Sequence, residues 1–402
     1  MRGMRIALAC VLVTLGAPSL AAGQEPLRRV SLEDALQLAL RQNPTLRAQQ
    51  AALQSTRAGE VTAALRPNPT ATFLAEQFRL PDTSPQYTIN IGQPIELGGK
   101  RQRRIDSARA ATRVAGHQLE DVQRQTTLLV KAAFASALIA REQLALPEQN
   151  LTTLDETERL QRLRVEKGDL SELELVRIQL QRFTFERDAA DARQASATAK
   201  IALRAAAGDT NIAEQFEIEG ELTAEEIPLD RTVLLRAADA DRERARADNR
   251  LARANAWWDV TPQLEYQRIG PDNTFGFGVS VPIRVFDRNQ GEIARTRAEI
   301  ERADAVRQAA AQQVLAAVDT DLAIVTTQRE RVLRLRDVYL PKATQARDTV
   351  DYAYRRGGQS LLDFLDAQRS YRETALAHLQ ALGAYLTALY QLEADVGRPL
   401  EP

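Results

Sequence analysis

The sequence predicts a mainly α-helical, elongated protein with a small β part, in which one strand–strand–long helix–long helix unit is used twice. Three observations carry this. Segment 167–179 (KGDLSELELVRIQ) aligns with 356–368 (RGGQSLLDFLDAQ) at an offset of 189, and the same offset pairs Gly208 with Gly397. Upstream, 93–102 (QPIELGGKRQ) aligns with 281–290 (VPIRVFDRNQ) at 188. Self-similarity of this length fixes the architecture before any single motif does. Second, each copy holds a heptad-patterned stretch far longer than a compact domain accommodates. Third, each such stretch follows two short segments that alternate polar and apolar residues.

The chain opens on Met1-Arg2-Gly3-Met4-Arg5, then an apolar run over 6–20 and small residues through Gly23. A basic start, an apolar middle and small residues near 21–23 read as a cleavable signal peptide over 1–23, so the chain is expected to be exported. Cys10 lies within that run, without a lipobox around it, and both methionines (Met1 and Met4) leave with it. The mature chain then holds no disulfide and no soft sulfur ligand. Of the 53 basic and 54 acidic residues, removal of Arg2 and Arg5 leaves 51 against 54. There is no basic excess of the kind nucleic acid requires. The best mature apolar stretch, 128–140, is short and interrupted by Lys131, so no helical membrane span is expected.

Along the first copy (24–208), Ser31 to Asp34 forms a capping-box start for a short helix ending near Asn43-Pro44. A second helix runs from Pro44 to about Leu65. Strands are expected over about 70–78 and 87–95; Tyr87, Ile89 and Ile91 share one face, and Thr88, Asn90 and Gly92 the other. A helical hairpin follows over about 99–207. Ile105, Thr112, Leu119, Thr126 and Ala133 recur every seven residues, interleaved with Ala108, Ala115, Val122 and Leu129. Such a seam of small residues suits closely packed helices. Residues 209–230, rich in Glu, read as a connector. The second copy (231–402) repeats the layout, with strands over about 262–269 and 274–282 and a hairpin over about 289–396. Phe275, Phe277, Val279 and Val281 oppose Gly276, Gly278 and Ser280. Glycine after a basic residue, then Ser171…Glu174 or Ser360…Asp363, reads as helix stop and capped restart. The hairpin tips therefore fall at Gly168 and Gly357, with Pro147 and Pro341 as bends.

Four strands are too few to close a barrel. An apolar-faced ribbon on an exported chain without a spanning helix points to an outer-membrane barrel shared between chains. Two chains would supply eight strands with a filled interior; three would supply twelve and a lumen.

The strand-to-helix element 281–291 (VPIRVFDRNQG) and the tip 354–368 (YRRGGQSLLDFLDAQ) resemble the TolC family of outer-membrane efflux ducts. The FDRNQG wording is similar to its heavy-metal branch, the CzcC/CusC-like components of cobalt–zinc–cadmium or copper–silver systems. The resemblance implies a homotrimer: a twelve-stranded barrel in outer-membrane lipid continuing as a periplasmic α-helical barrel. It implies a periplasmic adaptor (membrane fusion) protein and an inner-membrane RND transporter as partners. It also implies passive conduction without chemistry or cofactor, with heavy-metal cations as cargo and a multidrug or other export duct as the alternative.

The resemblance places acidic residues around the closed periplasmic aperture. Asp363 and Asp366 lie three apart on one helix face. Asp363 and Glu174 are equally placed as capping-box residues, whereas Asp366 has no capping duty. Tyr354 matches a family tyrosine that latches helix pairs, here toward Glu174, with packing at a helix end as the ordinary explanation. The family arginine two residues beyond this glycine is Gln359 here. Gly168, Leu170, Gly357 and Gly358 match the tip that meets the adaptor; turn chemistry alone accounts for the glycines but not for an exposed Leu170. His117 and His378 stand without a second ligand nearby. Trp257-Trp258 suit an aromatic anchor at the helix-to-barrel junction, or equally a packing pair between chains. A periplasmic adaptor would carry one hairpin inside a split β domain, whereas this chain has two hairpins. An enzyme built on Asp363 and Asp366 would need a nucleophile or metal set that the sequence does not provide.

Overall fold

The computed structural model describes residues 28–77, 84–168, 171–209, 216–222 and 235–397. The signal-peptide reading, Leu170 and most of the connector lie outside them.

Strand β1 (Arg28–Val30) leads into helix α1 (Leu32–Gln42). The Ser31 hydroxyl accepts the Asp34 N–H while Asp34 accepts from the Ser31 backbone, the reciprocal box the sequence signals. Asn43 then caps α2 (Pro44–Ala64), its side-chain oxygen accepting from the Thr45 and Leu46 N–H groups. Strands β2 (Thr70–Glu76) and β3 (Gln86–Gly92) precede α3 (Lys100–Glu166) and α4 (Glu172–Ala207). Strand β4 (Phe216–Ile218) lies in the predicted connector. Helix α5 (Arg236–Ala254), strands β5 (Thr261–Ile269) and β6 (Asp272–Ser280), and helices α6 (Gln290–Arg334), α7 (Leu340–Arg355) and α8 (Leu361–Val396) complete the second copy.

Two strands are shorter than the sequence suggests at their helix-side ends. Pro94 and Pro282 have no N–H for a ladder, so β3 stops at Gly92 and β6 at Ser280. The antiparallel order β2-β3-β5-β6 joins the two copies through β3 and β5. β1 pairs with β4 in parallel, a contact invisible to period-two analysis because each strand has only three residues.

At 1.5 Å per residue, the 67 residues of α3 span about 100 Å. The helix stays α through Pro147. In the second copy, Leu335–Tyr339 form a π turn between α6 and α7, where the Leu340 N–H reaches the Leu335 carbonyl. The extra residue stands just ahead of Pro341, which has no N–H to give the 337 carbonyl and whose ring would crowd it.

The predicted seam needs correction. Leu129 is 61% exposed, whereas Ala115 and Thr126 of the expected seam are buried together with Ala110, Val114, Val130, Phe134 and Leu138. A straight α-helix drifts about 20° per heptad, and α3 meets α2, α5, α1, α8 and α4. No single seven-residue stripe can serve all of them. The central core joins Val318, Val325 and Val332 of α6 to Tyr385, Leu389, Leu392 and Val396 of α8. A second core gathers Ala35, Val130, Phe134, Leu203, Phe216 and Ile218 around the β1–β4 pair.

The sheet is fixed to the helices by a small junction. Lys100, 5% exposed, donates to Asp259 at 2.7 Å, and the same carboxylate accepts the Leu97 N–H at 3.2 Å. Ile95 and Val260 exchange backbone bonds at 2.8 and 3.1 Å. Trp257 lies over Gly98, where a Cβ would sit 2.7 Å from the ring. Asp259→Ala would leave the Lys100 ammonium buried without its partner. A loss of about 3 kcal/mol is expected, at the low end for a buried pair because Asp259 is one-third exposed. Restoring stability with Lys100→Met in the same chain, followed by thermal melts in detergent, checks that the charge is responsible.

Candidate functional site

The sheet has two chemically distinct faces. Residues paired across the ladder share a side, so the register puts Phe73, Ile89, Tyr266 and Phe275 in one row and Ala71, Ile91, Leu264 and Phe277 in the next. Phe275 and Phe277 are 83% and 72% exposed. Aromatic contacts tie this face together: Phe73 stacks on Tyr87 at 6.4 Å, and Tyr266 meets Phe275 at 5.1 Å. The opposite side carries Thr72, Asn90, Glu265 and Gly276 in one row and Glu76, Gln86, Ile269 and Asp272 in the outermost. Its charges are Glu76, Glu265 and Asp272; no base shares that face among the described strand residues, since Arg268 lies in the Tyr87 row of the apolar side. The Asn90 amide donates to Gln263 and Glu265, at 3.5 Å each.

At the other end, both hairpins turn on glycine. Gly168 and Gly357 have φ of 79° and 80°, a left-handed conformation costly for any other residue. Gly357 and Gly358 donate to the carbonyls of Tyr354 and Ala353 at 3.0 and 2.9 Å, closing the end of α7. A Cβ at Gly168 or Gly357 would meet nothing within 4 Å, so backbone conformation explains these residues.

The two capped restarts differ. Ser360 and Asp363 form a complete box: the Asp363 carboxylate accepts the Ser360 hydroxyl at 2.6 Å and its N–H at 3.2 Å. Ser171 instead accepts from the Leu173 N–H at 3.2 Å, so no reciprocal box with Glu174 forms. Asp363 thus has a capping duty and Glu174 does not. Asp366, one turn along, is exposed and pairs with Arg369 at 2.5 Å. Such a pair is weak in water.

Tyr354 does not reach Glu174 by a bond. It is buried, stacked on Phe364 at 4.8 Å, and its hydroxyl accepts from the Gln161 amide at 2.5 Å. Burial pushes its pKa up to about 12, helped by the charge of Glu174 nearby. The contact therefore joins α7 to α3 within one chain. Leu154, Ile178, Phe185, Leu361 and Phe364 complete this tip core. Beside it runs a polar network that motif reading overlooks. Arg182 holds Glu158 at 3.1 Å and Asp155 at 2.5 Å, and Gln179 donates to Glu158 at 3.3 Å. Burial would raise the Glu158 pKa, but bonds from Gln179 and Arg182 prevail and hold it below the usual carboxylate value. The sequence signal was available: Leu154, Thr157, Glu158 and Gln161 share a helical stripe, three of them polar where a seam wants apolar residues. Further up, Arg372 of α8 pairs with Asp188 of α4 at 2.6 Å.

His117 contacts Glu120 at 3.0 Å, and burial lowers the pKa of His378. No group of three metal-ligating side chains occurs among the described residues. Trp257 and Trp258 are exposed between α5 and β5, at the helix–sheet junction. None of the described helices is long and apolar enough to cross a membrane.

The profile of the outer membrane efflux protein family matches residues 35–209 and 228–398. The chain belongs to the outer membrane efflux protein family. This efflux protein is 29% identical over 387 residues to the cobalt-zinc-cadmium resistance protein CzcC of Cupriavidus metallidurans, covering 92% of this chain and 90% of that one. It is 27% identical to the nickel-cobalt-cadmium resistance protein NccC of Alcaligenes xylosoxydans xylosoxydans, over 75% and 71% of the two chains. Its fold superposes on the channel protein CusC with a TM-score of 0.77 at 16% identity, over 92% of both chains. The efflux protein is thus a TolC-type outer-membrane duct, mainly helical.

Two substitutions separate tip architecture from tip charge. Tyr354→Phe leaves the buried Gln161 amide without its acceptor and should cost about 1–3 kcal/mol. Asp363→Ala should cost about 1 kcal/mol through the lost cap. Chemical denaturation of the purified protein reads both, and Asp366→Ala should leave stability within error.

Proposed function

We propose that three copies assemble into an outer-membrane duct that passively conducts heavy-metal cations out of the periplasm. The observation that carries this is the sheet: four strands, two unpaired edges at β2 and β6, an apolar side and a polar side whose charges are all acidic. In hydrocarbon each open edge leaves backbone groups unpaired, so the sheet must close with copies of itself. Eight strands leave an interior that side chains fill, whereas twelve leave a passage. The polar face then lines the passage with Glu76, Glu265 and Asp272 from every copy, a potential that favours cations over anions. The resistance functions in the names of the CzcC and NccC relatives support a metal cargo.

The helical part supports the same assembly. Leu173, Val176, Leu180 and Phe183 are exposed on α4 at spacings of three, four and three. That stripe is a coiled-coil seam without a partner among the described residues of its own chain, and in a closed helical tube the next copy covers it. The tips around Gly168 and Gly357–Gly358 are the periplasmic end, suited to a periplasmic adaptor and, through it, an inner-membrane RND transporter. Glu174 and Asp366 are free of capping duty there and form the acidic rim, with Asp363 as a structural neighbour. The protein does no covalent chemistry.

Detergent extraction of the outer-membrane fraction should yield a trimer by light scattering; a stable monomer in soluble periplasm overturns the proposal. Phe277→Arg should prevent assembly, because a cation at mid-bilayer costs about 2–4 kcal/mol per site, while Ser280→Arg should assemble. In planar bilayers, Glu265→Gln should shift the reversal potential in a salt gradient toward zero. Cells lacking the protein should lose tolerance to cobalt, zinc or cadmium salts. Lost tolerance to dyes and detergents, with metal tolerance unchanged, would assign the duct to drugs instead.

A further inference from the structure

A pair of carboxyl groups sits inside the helical body, far from both ends. Asp321 of α6 lies between Val318 and Val325 on the stripe that packs against α8, and is itself only 9% exposed. Those valines are 1% and 3% exposed, and across the seam stand Leu392 and Val396, both fully buried. Asp395 of α8 is the charged group that acts on Asp321, and the two carboxyls meet by their oxygens. The second Asp321 oxygen, Oδ2, has no partner and no access to water. Two ionised carboxylates cannot bond each other, since both only accept. Their contact in an apolar seam requires a proton between them.

Among the described residues, no lysine or arginine forms an ion pair with Asp321 or Asp395. On α8, Gln391 donates to Asp395 at 3.2 Å. On α3, Lys131 pairs with Glu393 at 2.5 Å beside the Tyr390 ring, and Arg124 pairs with Asp121 at 2.8 Å. On α6 itself, Asp319 is exposed on another face of the helix. Opposite charge reaches Asp395's neighbour Glu393, not Asp321.

We propose that Asp321 and Asp395 share one proton and form a proton-linked joint that sets how tightly α6 packs on α8. Burial and the Asp395 contact lift the Asp321 pKa to about 6. The sign follows from linkage. An acid whose folded pKa exceeds its unfolded value of 3.8 makes the folded state take up a proton as pH falls through that window. The seam is therefore tightest below about pH 4, loosens as pH rises from 4 to 6, and stays in its loosened state at neutrality. An acidified periplasm would tighten this level of the tunnel.

The test uses the full-length protein in detergent. A protonated carboxyl gives an infrared C=O band distinct from a carboxylate's. In D2O, the wild type should show such a band at pD 5 that fades toward pD 7.5, and Asp321→Asn should lack it. In thermal melts, the wild-type transition should fall between pH 4.5 and 7.5 by several degrees more than that of Asp321→Asn, which should be the more stable protein at pH 7.5. Asp395→Asn, which keeps the buried Asp321 but replaces its partner with an amide donor, should lower the pH at which the band disappears; it also serves if Asp321→Asn does not fold. Absence of a titrating band, or identical pH dependence in wild type and Asp321→Asn, overturns the proposal. So does stabilisation by Zn2+ at pH 7.5 that Asp321→Asn abolishes, which would make the pair a cation site.

Discussion

The unpaired backbone along the outer edges of β2 and β6 governs the rest of this molecule. A peptide group buried in hydrocarbon without a hydrogen-bond partner costs several kcal/mol, and two open edges of seven and nine residues carry many such groups. Among the described residues the sheet holds four strands, two from each copy, and its two outer edges stay open within one chain. The chain is accordingly half a solution to its own fold. Its apolar sheet face, its one-signed polar face and its uncovered α4 stripe are consistent consequences of a protomer shaped for a ring.

The helical part answers a different constraint, which is reach. A helix of about 100 Å needs lateral support along its length, and α3 obtains it in stages from α2 and α5 near the sheet, α1 and α8 at mid-height, and α4 toward the tip. Support in stages explains why small residues prevail: Ala110, Ala115, Ala135, Ala137 and Ala140 admit neighbours from different directions. Larger residues concentrate where one partner dominates, as at Tyr385 and Leu392 of α8.

Much of this was legible in the sequence. The duplication, the four strands with their facing, both hairpin tips and the capping residues Ser31 and Ser360 follow from local chemistry, and local chemistry survives folding. The β1–β4 pair was not legible, since a three-residue strand has too little pattern and its partner lies far along the chain. The α3 seam was misplaced at Leu129 because a heptad assumes one partner. At the tip, the capping reading succeeded for Asp363 and failed for Glu174, two positions alike in sequence but different in hydrogen bonding. Tyr354, expected to reach toward Glu174, bonds through its hydroxyl to Gln161 instead, a residue no motif flags because amides recur throughout long helices.

The π turn at Leu335–Tyr339 settles a matter of indexing. Above it, Val318, Val325 and Val332 mark the inward stripe at intervals of seven. Counting on by sevens from Val332 arrives at residue 353, yet the buried residue at the tip is Tyr354. The surplus residue wound into the π turn absorbs that difference, so the upper and lower stripes are each regular but out of phase by one position. The turn therefore acts as a phase shifter between two lengths of the same tube. It lets the tip obey a numbering of its own while the body keeps another. Removing one residue within it would let this stretch wind as plain α-helix and leave Tyr354 facing inward, because the π turn accommodates just that surplus residue.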